Sequence, residues 1–229
     1  MPKDREIKKL LRPLLSRRSD LVYFGRGICF VPFTRYLRGV VFKLHTHSTR
    51  SVITFFANQL CDGENSVNVA LEGPAEIPED WEDDVEATSR KLCDELERDI
   101  LPMIEPVTNF EEHLKRFPRG LHVFDLSDKS DRYDFNLACD VCTRGDFDRA
   151  EAVMAELLDP KNPFYGAPEV VTEEHRFSMM RQERMAYLLM TLRRGKIEVL
   201  TLLHDWEAFS VKSMRVEKHW KPSPFPCEL

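Results

Sequence analysis

Two thiols and two histidines are the side chains in this sequence whose spacing could support chemistry. Cys139 and Cys142 form a Cys-x-x-Cys pattern, the separation at which two sulfurs can share a zinc ion or exchange a disulfide. A structural zinc needs two more ligands, and no second pair of this kind or His-x-x-x-His follows. On a helix the two thiols share a face, where small apolar side chains pack, and that is the expected role of both. His45 and His47, two apart, point to one side of an extended strand and could begin a metal site. Their neighbourhood supplies no third ligand, and Thr46, Ser48 and Thr49 read as a polar strand end. His122, His204 and His219 stand without a local nucleophile pattern, and no phosphate loop, dinucleotide fingerprint or His-Glu-x-x-His motif occurs. The expectation is therefore no catalytic residue, no cofactor and no metal, with His45, His47, Cys139 and Cys142 as the only candidate ligands.

Charge is the second signal. Residues 1–50 hold 12 basic and 3 acidic side chains, whereas residues 51–120 hold 17 acidic and 6 basic ones. The acidic peak is Glu79, Asp80, Glu82, Asp83, Asp84 and Glu86, preceded by Glu76. If the two regions are neighbours the asymmetry is internal, each exposed pair contributing roughly 0–1 kcal/mol. If not, the acidic run is a surface for a basic protein. The alternative is nucleic acid held by the basic strands through Arg26, Arg35, Arg38 and Lys43, with Tyr23 and Tyr36 as stacking rings. A net charge of −6 opposes that alternative without forbidding a local patch.

The elements that must position these groups follow from periodicity. Ile7, Leu10, Leu11, Leu14 and Leu15 lie at helical spacing with Lys8, Lys9 and Arg12 opposite, and Pro13 should kink or end that helix. Leu21–Phe24, Ile28–Val31, Val40–Leu44 and Val52–Phe56 are β-branched and aromatic, which predicts an antiparallel meander of three or four strands, with a short strand at 67–71 as a further candidate. Val85, Leu92, Leu96 and Ile100 make the stripe of a helix that covers the sheet, with acidic residues at its positive end and Pro102 and Pro106 as its stop. A short helix over 109–117 leads to the linker Pro118-Arg119-Gly120, after which 121–124 could return as a strand. Two helical hairpins complete the chain, one turning at Gly145 and the other at Gly195. Pro222-Ser223-Pro224-Phe225-Pro226 reads as an extended arm. The fold class is α+β: a sheet domain over 1–120, then a helical-hairpin region over 121–229 packed on it.

Ala138 and Ala150 flanking the Gly145 turn resemble one degenerate tetratricopeptide-type unit, and two hairpins are too few to stand as a solenoid. Leu11-Arg12-Pro13-Leu14, the aromatic strand pair, Asp205-Trp206-Glu207-Ala208-Phe209 and Val216-Glu217-Lys218-His219-Trp220 together resemble an uncharacterised bacterial family, domain of unknown function four-three-zero-four. That resemblance implies a bacterial, cytoplasmic protein and carries no activity with it. The charged residues Lys3 to Lys9 occupy the place of a signal-peptide core, six cysteines without an export signal read as free thiols, and no uncharged stretch reaches the roughly 20 residues of a membrane span. Together these readings describe a non-enzymatic protein-binding module, of the kind that neutralises or adapts another protein, as an immunity-type inhibitor does. A metal-dependent enzyme built near His45 and His47 is the remaining alternative.

Overall fold

The computed structural model describes residues 2–44, 51–63, 69–116, 131–159 and 173–229. His45, His47 and His122, the linker at 118–120 and the candidate strand at 121–124 lie outside the described residues. The protein is α+β, a five-stranded antiparallel sheet followed by a helical C-terminal half. Its chain divides into two compact units, one formed by residues 1–58, 67–121 and 216–221 and the other by 59–66, 122–215 and 222–229.

In the first unit, helices α1 (Asp4–Leu10) and α2 (Arg12–Arg17) separate at Leu11. Pro13 sits in the opening turn of α2, where its missing N–H leaves no bond unmade. Ile7, Leu10, Leu11 and Leu14 are fully buried. They pack beneath α3 (Val85–Glu95), whose Ser89 hydroxyl donates to the Leu10 carbonyl at 2.6 Å. That carbonyl belongs to the last turn of α1 and would otherwise lack a helical donor.

The sheet runs in simple order: β1 (Leu21–Phe24), β2 (Gly27–Phe30), β3 (Tyr36–Leu44), β4 (Ser51–Gln59) and β5 (Val69–Ile77). The meander therefore has five strands, and the last reaches through Gly73-Pro74, a stretch whose sequence reads as a break. An edge strand tolerates proline because one row of its N–H groups has no ladder to join. The β4–β5 pairing slips between Val52/Glu76 and Thr54/Glu72, so the Gly-Pro dipeptide falls in a bulge. Ile28, Phe30, Val40, Phe42, Ile53, Phe55 and Phe56 form the apolar interior.

Pro102 does not stop the helix after α3. Residues Leu96–Ile100 wind as a wider π-type turn and α4 (Leu101–Ile104) continues beyond it, with Pro102 in the first turn of the new segment. The widened turn relieves the clash a proline makes with the carbonyls behind it. After α5 (Phe110–Arg116), this unit is completed from far along the sequence: Phe33 donates to the His219 carbonyl at 3.3 Å and accepts from Lys221 at 2.9 Å, while the Trp220 indole donates to Thr34 at 2.9 Å.

The second unit consists of α6 (Asp131–Thr143), α7 (Phe147–Leu157), α8 (Glu173–Arg194) and α9 (Lys196–Ser213), with the 3-10 turn Leu60–Asp62 set against α6 and α9. Gly145 turns the first hairpin with φ of 81°, and Ala138 and Ala150 are fully buried in its core. The terminal arm is docked: Phe225 is fully buried and stacks on His204 with ring centroids 4.0 Å apart.

Strands β2 and β3 approach so closely at Gly39 that a Cβ there would lie 2.1 Å from the Ile28 carbonyl oxygen and 2.9 Å from the Phe56 ring. Neither the ladder nor the ring can yield that distance without local repacking. Gly39→Val is expected to destabilise the protein by about 3 kcal/mol, read as a lowered midpoint in urea unfolding. An unchanged midpoint would show that the strands part at little cost.

Candidate functional site

Helices α8 and α9 form an open groove of about 590 Å³ in the second unit, lined by Glu183, Arg184, Tyr187, Leu202, Asp205, Trp206 and Phe209 together with Gly63. The helical repeat explains the set. Tyr187 lies one turn beyond the adjacent Glu183 and Arg184 on α8, and Leu202, Asp205, Trp206 and Phe209 fall at i, i+3, i+4 and i+7 on α9. A stripe of that kind normally faces a core. Here Tyr187 and Phe209 remain 47% and 51% exposed.

The floor of the groove is closely packed. Gly63 has φ of 70°, and a Cβ on it would reach Trp206 Cγ at 3.2 Å, so the backbone lies flat against the indole. Trp206 also packs on Phe135 with centroids 5.9 Å apart. Arg184 Nη1 donates to the Asp62 carbonyl at 3.0 Å, and Ser210 Oγ donates to the Leu60 carbonyl at 2.9 Å, fastening the 3-10 turn to both helices. With the guanidinium drawn to that turn, the exposed carboxylates Glu183 and Asp205 give the rim a negative bias.

Cys139 and Cys142 lie in the core of the same unit, fully buried. Burial, with hydrogen bonding to Cys61 next, pushes the Cys139 thiol well above its usual range, and burial raises Cys142 to about 12. Cys61 also accepts from Gln59 Nε2 at 3.1 Å. Such thiols stay protonated at neutral pH, whereas both metal ligation and disulfide exchange need thiolate. Among the described residues, no three histidine, cysteine or carboxylate side chains gather as a metal-binding group.

The acidic run occupies a turn in the first unit. Glu79, Asp80, Glu82, Asp83, Asp84 and Glu86 are all exposed around the buried Trp81. Two of the six have local duties: Asp84 caps α3 by accepting from Ala87 N at 2.9 Å, and Glu86 pairs with Arg90 at 3.0 Å. Glu79, Asp80, Glu82 and Asp83 face solvent on the turn itself.

The basic residues are drawn inward within the same unit. Arg26 Nη2 donates to the Pro2 carbonyl at 3.1 Å, and Arg38 Nε donates to the Glu105 carbonyl at 2.8 Å while lying over the Phe30 ring. Arg18 pairs with Asp20 at 2.7 Å and Glu105 at 3.5 Å, and its hydrogen bond holds the Asp20 carboxyl below the usual range. Tyr23 donates to Asp4, and Tyr36 is buried. Arg35 is half-buried and Lys43 is exposed. The rings a nucleic-acid platform would need are turned into the protein or tied at its edge.

No family model matches the chain, and no curated protein or solved structure matches it either. Among the described residues, no helix is long and apolar enough to cross a membrane.

Sequence reasoning missed the groove. Its signal was present in the aromatic side chains of the second hairpin, Tyr187 on one helix and Trp206 and Phe209 three apart on the other, but exposure distinguishes a groove from a core stripe, and spacing alone does not reveal it.

The thiols provide a direct check on this packing. Cys29, Cys61, Cys93, Cys139 and Cys142 are buried, and Cys227 is exposed. Iodoacetamide at neutral pH should alkylate Cys227 alone in the folded protein and all six cysteines in denaturant, as read by peptide mass mapping. Rapid native labelling of Cys139 or Cys142 would contradict the core assignment.

Proposed function

We propose that this chain is a non-enzymatic protein-binding module that engages a partner with a basic surface, acting as an inhibitor or adaptor of that partner. The observation carrying this reading is the groove on α8 and α9, where Tyr187 and Phe209 stay half exposed beside Trp206. Aromatic side chains left at a surface cost free energy in water and return it when a partner covers them, which is why tyrosine and tryptophan recur as interface anchors. The acidic turn at 79–84 supports the same reading by electrostatics, since like charges presented together attract and orient a basic partner at long range. A neutralising or adapting role needs no catalytic group.

Photo-crosslinking in the native cell tests the proposal. A photoreactive phenylalanine analogue at position 187 or 209 should yield a discrete heavier adduct, and the same analogue at Ala155, an exposed position on α7 outside the groove lining, should not. Asp80→Lys with Asp83→Lys should lower adduct yield, and raised salt should lower it further in an extract. Asp84 is unsuited to charge reversal because its loss as a cap costs about 1 kcal/mol by itself. No adduct at either groove position would overturn the proposal.

A further inference from the structure

We infer that the groove on α8 and α9 is a receptor for an arginine side chain presented by a peptide segment of the partner, a specificity that rests on the protein-binding reading above. Three rings line one open cleft with two carboxylates: Tyr187 from α8, Trp206 and Phe209 from α9, and the exposed Glu183 and Asp205. Aromatic faces attract cations through their quadrupole, and acidic groups beside them add Coulomb attraction. Among the described residues, the cation lining the cleft is Arg184, and it is bonded to the Asp62 carbonyl 3.0 Å away, which turns its charge toward the 3-10 turn.

The choice among cations follows from the donors each can offer. A quaternary ammonium fits aromatic faces but cannot hydrogen-bond to Glu183 or Asp205. A lysine ammonium can bond to a carboxylate, but it is strongly hydrated and has no plane to lay on a ring. A guanidinium does both: it stacks flat on indole, phenol or phenyl, and its edge presents paired N–H groups to a carboxylate. The cleft, about 590 Å³, exceeds one side chain and leaves room for the flanking backbone of a short segment. Its floor is already set, because Gly63 and Phe135 hold Trp206 in place and little ordering remains to be done on binding.

The test is calorimetric titration of the full chain with blocked, glycine-flanked pentapeptides whose central residue is arginine, citrulline, lysine or trimethyl-lysine, with free arginine as a further arm. Citrulline keeps the shape and removes the charge. The arginine peptide should bind at least about tenfold more tightly than the citrulline peptide and more tightly than the lysine peptides and free arginine. Asp205→Asn and Tyr187→Ala, both at exposed positions, should each weaken it, and circular dichroism should confirm that the variants fold.

Equal affinity for arginine and citrulline, preference for either lysine form, or no binding of the arginine peptide would overturn the inference. So would tighter binding of free arginine, or variants that fold and bind as the parent does. Crosslinks at 187 and 209 would leave the protein-binding reading standing in each of those cases, so the two failures are distinguishable.

Discussion

The contact on which the helical unit depends is the one between Gly63 and Trp206. Only a residue without a Cβ combines a φ of 70° with a backbone lying flat on the indole. That placement lets Leu60, Cys61 and Asp62 insert as a buried 3-10 turn, whose carbonyls receive Ser210 and Arg184. Buried carbonyls need donors, and these two side chains come from α9 and α8 respectively. The glycine, the buried turn beside it and the two helices that bond to that turn thus form one connected packing unit.

Charge follows a similar logic of local closure. The basic N-terminal segment does not need the acidic turn at 79–84. Arg17 meets Asp94 and Glu97, Arg18 meets Asp20 and Glu105, and Arg38 donates to the backbone of Glu105. The acid that balances the early arginines therefore comes from the second half of the α3–α4 helical segment and its end. What is left over is the turn over Trp81, where four carboxylates share one surface. The polarity visible in the sequence is in part internal neutralisation and in part a surface of one sign.

Much of the fold was legible because its residues obey one period at a time. Alternating and β-branched runs became strands, and the stripe from Leu92 to Ile100 became the buried side of a helix. Legibility failed where tertiary context overrules a local rule. Pro74 looks like a terminator but lies in an edge-strand bulge, and Pro102 looks like a stop but follows a widened turn. Cys139 and Cys142 were readable as packing residues from their shared helical face. The groove was not, since Trp206 and Phe209 on α9 and Tyr187 on α8 hold the same places in the sequence whether a neighbour covers them or not. The acidic turn was plain in composition, yet the separate duties of Asp84 and Glu86 emerge only from the start of α3.

One short run of sequence serves both compact units. Residues 216–221 complete the sheet unit, where Lys221 and Trp220 bond to Phe33 and Thr34. Residues 222–229 complete the helical unit, where Phe225 fills its socket on His204 and Glu228 reaches the same imidazole at 2.9 Å. Loss of residues 216–229 would therefore leave both units unfinished, the sheet unit without the partners of Phe33 and Thr34 and the helical unit without its buried Phe225.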